Sequence, residues 1–267
     1  LVALGTVCDV VPLTGFNRAL VRQGLKVLAK RKNKGLAALA DIAGMDARPE
    51  SYHLGFVLGP RINAGGRVGE AGLGHQLLTT NDQQDAAKIA TRLNDLNLER
   101  QTIESINVEQ AFAKVESAGK PDRAILVEDR HWHPGVIGLV ASRLVQRYKK
   151  ASLVISFDDD IGRGSARSVP NVDIGAIITA AKQCGLLLAG GGHPMAAGFT
   201  IHRSKLHLFQ KFARERAAKQ GGLTDGSTLG MDGVLALSAV RSELIETLEQ
   251  AGPYGAGNPL PRFAFAK

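Results

Sequence analysis

Two short stretches carry residue types that could hold an anion. Leu188-Ala-Gly-Gly-Gly-His-Pro-Met-Ala-Ala-Gly-Phe199 sets three consecutive glycines before a histidine. Ordering glycine costs the most backbone entropy, so such a run belongs where φ must be positive or where something approaches the backbone closely. Bare N–H groups at Gly191 and Gly192, beside His193, suit a phosphate. A tight turn between two strands would use the same residues, and this stretch alone leaves both readings open.

Gly162-Arg-Gly-Ser-Ala-Arg-Ser168 is the second stretch, flanked by apolar segments at 152–157 and 174–178. Arginine supplies a planar fork that matches phosphate oxygens, and serine adds a hydroxyl donor. Two such clusters suggest a groove for a phosphodiester chain or its end, against the alternative of a solvated hairpin with surface arginines.

Two further places hold candidates. Asp9 follows an apolar run, Leu1 to Val7, that reads as a buried strand. α/β proteins put site residues just past the carboxyl end of such strands, although a lone Asp there also serves as a cap or turn. Leu58-Gly-Pro-Arg-Ile-Asn-Ala-Gly-Gly-Arg67 sets Arg61, Asn63 and Arg67 among small residues. Its proline and three glycines argue against a regular helix, leaving a phosphate contact or an irregular connection.

The elements that must position these residues can be read from periodicity. Helices are expected from Asn17 through Arg31 and from Gly35 to Ala43. Asp82 opens a long helical pattern without Gly or Pro before Gly119. Ala86, Ile89, Leu93, Leu96, Ile103 and Ile106 form one apolar stripe; Lys88, Arg92, Asp95, Glu99, Arg100 and Glu104 lie on the other face. About 30 residues of helix would span about 45 Å, long enough to join two domains.

Beyond it come a strand at Ala124–Val127, a helix after Pro134 ending near Lys149, a strand at Ser152–Phe157 and a turn at Asp158–Asp160. A helix from Asp173 to Gln183, a strand at Ala197–His202 and a basic helix from Ser204 to Lys219 follow, giving an α/β domain with a mixed sheet. Leu229–Leu237 reads as a strand, Glu243–Gln250 as a helix, 252–261 as a turn-rich linker and Phe263–Ala266 as the start of another strand.

The totals are those of a globular protein large enough for two domains: 267 residues, 44% hydrophobic and 22% charged. With 33 basic and 25 acidic residues, the net charge of +8 and pI near 9.7 favour a polyanionic partner. No apolar run approaches the ~20 residues of a membrane span. Cys8 and Cys184 are far apart, lack metal-ligand spacing and read as reduced, buried thiols of a cytoplasmic protein. The chain opens on Leu1 rather than Met and reads as an excised piece.

Taken in order, Val2–Leu13, Gly59–Arg67, Trp132–Leu144, Gly164–Ser168, Gly191–Gly198 and the terminal Gly252-Pro-Tyr-Gly-Ala-Gly-Asn-Pro259 resemble the RecJ family, single-strand-specific 5′–3′ DNA exonucleases of the DHH phosphoesterase superfamily. The resemblance implies an architecture: the C-terminal part of a DHH-type α/β catalytic domain (1–80), a connecting helix (81–119), a DHH-associated substrate-binding α/β domain (120–222) and the start of an OB-like β domain (223–267). It implies that Asp9 is a metal-binding catalytic aspartate and His193 a substrate-binding histidine of the catalytic centre. Arg67, Ser165 and Arg167 would hold the DNA 5′-phosphate beside Gly191 and Gly192, and Arg61 and Asn63 would join the catalytic domain to the long helix. His133 is open between supporting a helix start and touching DNA.

The cofactors so implied are two divalent ions, Mn²⁺ or Mg²⁺, activating water and steadying the leaving oxygen. The implied partners are single-stranded DNA with a 5′ end and, around a monomeric enzyme of repair and recombination, a single-strand-binding protein and a helicase, with no membrane. The family's Asp-His-His motif and the aspartates completing the metal site do not occur in the chain, so the isolated chain is expected to be inactive. Cys8 and Gly65 stand where the family pattern has alanine. The same sites would suit a phosphodiesterase for cyclic dinucleotides or short oligonucleotides, or a non-catalytic single-strand-binding module. Salt dependence separates them, because a polymer binder weakens steeply with salt.

Overall fold

The structure, a computed structural model, describes residues 1–119, 123–220 and 229–265. The expected boundaries at 120 and 222/223, and Ala266 of the expected last strand, lie outside them. The chain divides into two compact units, residues 1–98 with the segment after 226, and residues 99–226.

Residues 1–98 are helical: α1 (Val2–Cys8), α2 (Gly15–Leu28), α3 (Lys34–Ile42), a π-helical stretch (His53–Leu58), α4 (Gly59–Val68), α5 (Leu73–Thr79) and the first part of α6 (Gln83–Ser117). The run at Leu1–Val7 is thus a helix, not the expected strand. A short apolar run does not by itself distinguish the two. What decides is helix packing: Ala3 and Leu4 are buried, and Ala3 meets α2 at Gly24, where a Cβ would overlap its methyl group.

The 58–67 stretch is also a helix, against expectation. Pro60 comes just after the π-helical stretch, in which the Gly59 amide donates to the Leu54 carbonyl five residues back, so the helical run passes through the proline by a change of helix type rather than starting there. The glycines serve close packing rather than irregularity. A Cβ at Gly59 would stand 2.6 Å from Cys8 Sγ, and one at Gly65 would stand 2.7 Å from the Glu70 carbonyl oxygen. The second contact explains why Gly65 departs from alanine.

α6 is 35 residues long. Asp82 opens it as expected, its carboxylate accepting from the Asp85 amide at 2.8 Å; that hydrogen bond, first among several causes, lowers the Asp82 pKa. Along the helix the buried stripe runs Ala86, Ala90, Leu93, Leu96, then Asn97, Arg100, Glu104 and Asn107. Arg100 and Glu104 are therefore inside, and Ile106 is 49% exposed, reversing their expected places. Beyond Leu96, polar pairing, not hydrophobicity, fills the inner positions. Glu104 accepts from Arg100 at 2.5 Å and from Arg143 at 3.0 Å.

The second unit continues with β1 (Ala124–Asp129), α7 (Ile137–Tyr148), β2 (Ala151–Asp158), β3 (Ile161–Arg167), α8 (Ile174–Gln183), β4 (Ala189–His193), β5 (Ala196–His202) and α9 (Leu206–Gln220). The sheet order is β1-β2-β3-β5-β4, with β1 and β2 parallel and the rest antiparallel. The mixed sheet was expected; β4, the triple-glycine segment itself, was not. α7 packs on β2 and β3, while α8 and α9 bury Leu153, Ile155, Phe157, Ala166, Phe199 and Ile201 on the opposite face.

Polar contacts as well as apolar ones hold the carboxyl-terminal half of α6 within this unit, and Glu116 accepts from Arg147 of α7 at 2.6 Å and from the Tyr148 hydroxyl at 3.3 Å. Glu104 meets Arg143 of α7, Gln110 accepts from the buried Trp132 indole at 2.8 Å, and Lys114 pairs with Asp129 at 3.1 Å.

Residues 229–265 hold β6 (Gly233–Leu235), α10 (Ser242–Gln250) and β7 (Phe263–Phe265), with β6 and β7 paired in parallel. β6 is shorter than the strand expected over 229–237. Among the described residues no helix is long and apolar enough to cross a membrane. Both cysteines are free, but Cys8 is half-buried and Cys184 exposed, where both were expected to be buried.

Candidate functional site

Cross-strand register gathers the predicted residues of the second unit on one face of the sheet. Directly paired residues project to the same side. One row reads Val154–Ser165–Gly198–Gly191 across β2, β3, β5 and β4; the next reads Ser152–Arg167–Ala196–His193. Ser165 and Gly191 thus share a row, and Arg167 and His193 share its neighbour, although 26 residues separate each pair in sequence.

This face is bare toward β4. Gly191 and Gly198 are exposed, and a Cβ at Gly191 would meet nothing within 4 Å. Gly190 and Gly192 are different: a Cβ at Gly190 would stand 2.7 Å from Ile178, and one at Gly192 2.5 Å from the Ala196 carbonyl oxygen. None of the three has a positive φ. The glycine run is therefore a flat strand that packs closely on one side and leaves an open floor on the other.

Arg167 and Ser165 are half-buried at the wall of this floor. The Arg167 guanidinium donates to the Ser165 hydroxyl at 3.1 Å and to the Ala166 carbonyl at 2.9 Å. Gly138, in the first turn of α7, stands against both: a Cβ there would lie 3.1 Å from Arg167 Nη2 and 3.1 Å from Ser165 Oγ. The amino end of a 12-residue helix, an arginine fork and a hydroxyl are so brought together, donors suited to a phosphate oxygen.

His193 is exposed at the end of β4, before the turn at Pro194 and Met195. That turn is held from behind. The Ile174 amide of α8 donates to the Pro194 carbonyl and the Ser168 amide to that of Met195, each at 3.0 Å. Gly175 allows the approach, since a Cβ there would lie 2.8 Å from the His193 carbonyl oxygen. His133 takes the helix-start role left open for it: its Nδ1 accepts from the Gly135 amide at 3.1 Å, just before α7.

In the first unit, Asp9 is exposed and caps the carboxyl end of α1 rather than following a strand. Its neighbour Cys8 packs on Gly59 and donates to the Leu54 carbonyl at 3.5 Å, and burial, then the Asp9 charge, push its thiol pKa up. α4 carries Arg61, Asn63 and Arg67. Arg61 ties α4 to α6, donating to Asn94 at 3.1 Å and to the Val57 carbonyl at 2.8 Å; desolvation by burial lowers its pKa. Asn63 is exposed and Arg67 half-buried. Among the described residues no group of three His, Cys, Asp or Glu could hold a metal ion.

Sequence reading missed the roles of Gly138 and Gly175, and took Gly198 only as one of the small residues that close the triple-glycine stretch. For the first two, the available signal was a glycine near the start of a predicted helix, where propensity disfavours it.

The α/β domain that carries this open sheet face, edged by Arg, Ser, His and a helix amino end, matches the DHHA1 domain family over residues 122–219. The similarity extends much further. Over 98% of its length the chain is 36% identical to the single-stranded-DNA-specific exonuclease RecJ of Dickeya dadantii and 33% identical to that of Bacillus subtilis, covering 47% and 34% of those proteins. The crystal structure of RecJ from Thermus thermophilus in complex with Mn²⁺ superposes with a TM-score of 0.89 at 32% identity, over 98% of this chain and 39% of that one; the Mg²⁺ complex gives 0.87. The chain is thus similar to RecJ proteins over nearly its whole length and spans about half or less of the length of the relatives named here.

Proposed function

We propose that the chain is the part of a RecJ-type, single-strand-specific 5′–3′ DNA exonuclease that grips the strand end. One observation carries this reading: Ser165, Arg167, Gly191 and His193 fall in two adjacent rows of one open sheet face, beside Gly138 of α7. Arg167 and Ser165 hold a 5′-phosphate, Gly191 leaves the backbone open to the strand, Gly192 keeps that floor in place by packing closely at Ala196, and His193 contacts the strand beside the scissile phosphate. Arg67 and Asn63 supply further phosphate contacts, while Arg61 acts through its bonds to Asn94 and Val57. A pocket that demands a free end makes an exonuclease.

The RecJ structures named above hold Mg²⁺ or Mn²⁺, and such ions supply metal-assisted phosphodiester hydrolysis. The described residues do not by themselves form that centre. Asp9 is the candidate ligand in this chain, which in this reading grips the strand while hydrolysis requires metal donors besides Asp9. The domain reading keeps 81–119 as a connector and 223–267 as the start of an OB-like module. A cytoplasmic, monomeric enzyme working with a single-strand-binding protein and a helicase completes the proposal.

The test compares short single strands bearing a 5′-phosphate or a 5′-hydroxyl, with the wild-type chain, Arg167→Ala and His193→Ala. A phosphate preference that both variants lose supports the end pocket. Equal binding of the two strands by the wild type withdraws it.

A further inference from the structure

Helix α2 carries a line of cations that the phosphate pocket does not use. From Val10 through Ala40 the chain has seven Lys and Arg residues and no Asp or Glu. Arg18, Arg22 and Lys26 stand four residues apart on α2, and Lys30 continues the line just beyond its end. Arg22, Lys26 and Lys30 are exposed and Arg18 half-buried, while Val21, three residues after Arg18, is fully buried. Among the described residues none of the four makes an ion pair or a side-chain hydrogen bond. Two other cations of the run are engaged: Arg31 pairs with Asp41, and Lys34 donates to the Asn81 carbonyl at 2.6 Å.

This arrangement does not help the helix. Like charges four residues apart repel one another. The first turn of α2 holds no acidic residue, and Arg18 lies in the amino-terminal half, where the helix dipole disfavours a cation. Only Lys26, in the last turn, is placed as the dipole prefers. Electrostatically strained cations that pair with nothing internal have an external counter-charge as their physical rationale. A line, rather than a concave cluster, fits a repeating anion. Successive members are about 6 Å apart along the axis, close to the repeat of phosphates along an extended strand.

We propose that Arg18, Arg22, Lys26 and Lys30 form a track for the phosphate backbone of single-stranded nucleic acid, separate from the end pocket. The track needs no free 5′ end and reads no sequence. It rests on the nucleic-acid reading above but not on the assignment of Arg167 and His193.

The experiment measures binding of oligothymidylate over a salt series, with and without a 5′-phosphate, to the wild-type chain, Arg22→Gln, Lys26→Gln, the double variant and Arg22→Lys. Each charge removed should weaken binding severalfold and reduce the slope of log affinity against log salt by about 0.7. The thermal midpoint should stay or rise, Arg22→Lys should bind as the wild type, and the ratio of phosphate to hydroxyl affinities should not change. An unchanged salt slope overturns the proposal, as does an equal loss of polyglutamate binding, which would mark a site for acidic protein. Slope loss without any 5′-phosphate preference in the wild type would keep the track and reject the end pocket. A preference with an unmoved slope would do the reverse.

Discussion

Gly138 presses so closely on Arg167 that a methyl group on its α-carbon would stand 3.1 Å from Nη2. That separation is tighter than an ordinary van der Waals contact, so a side chain there must push the guanidinium or the Ser165 hydroxyl aside. Gly138→Ala should strengthen helix α7, since alanine is favoured over glycine by about 0.8–1 kcal/mol inside a helix. It should at the same time weaken 5′-phosphate binding, by about tenfold if one charge-assisted hydrogen bond is lost. Thermal melting and strand binding of the same variant check both halves. Unchanged binding would mean that the pocket does not depend on this approach.

The glycines of β4 should separate by role. Gly192→Ala is expected to lower stability by about 1–3 kcal/mol, as overpacking against the Ala196 carbonyl forces backbone shifts. Gly191→Ala, which meets nothing, should melt as the wild type and yet bind single strands less well. Circular dichroism melts of the two variants, with strand binding alongside, give the comparison.

Beneath the sheet, Gly164 has the Phe199 ring where a side chain would go, and Phe199 in turn packs on Phe209 at 5.1 Å between ring centres. Gly164→Ala should therefore cost about 1–3 kcal/mol through the core, without touching the open face. Chemical denaturation measures it. A loss of phosphate preference with full stability would contradict this placement.

Arg61 is expected to behave as a strut. Arg61→Ala removes two donors to Asn94 and Val57, and should cost about 1–3 kcal/mol of stability. Strand affinity, measured well below the melting temperature, should change little.

Asp129 predicts an acid-labile contact. Burial raises its carboxyl pKa, but the His131 amide and Lys114 outweigh burial and bring it below the usual carboxylate value. A depressed folded-state pKa means that the stabilisation is present above about pH 4, the unfolded value, and disappears as pH falls through the lower folded one. Asp129→Asn should melt lower than the wild type at neutral pH, and the gap should close at acid pH.

Much of the second unit was legible because its signals are local. Asp173 caps α8 as its position before an apolar run suggests, its carboxylate accepting from Ala176 at 2.8 Å. The alternation in Ser152–Phe157 is masked by burial on both faces, yet length and β-branching still mark a strand. The first unit was less legible. Leu1–Val7 and Leu58–Arg67 are decided by how closely another helix approaches, through Gly24 at Ala3 and Gly59 at Cys8, and no local pattern encodes that. The site residues were legible as types. Their meeting was not, because it depends on the β3-β5-β4 register. The inward turn of Arg100 and Glu104 was hidden for a related reason: charged residues on a helix read as solvent-facing unless their partner, here Arg143, is known.

The polar pins along the carboxyl-terminal half of α6 bear on precision rather than stability. Glu104, Gln110 and Lys114 engage α7, Trp132 and Asp129 at different heights along one helix. Rotating α6 by one residue would swing all three through about 100° and strand the buried Glu104 carboxylate between polar groups it no longer meets. The helix therefore works like a keyed shaft. It indexes α7 to a single azimuth, and through α7 sets how deeply Gly138 is driven toward the arginine at the edge of the open floor.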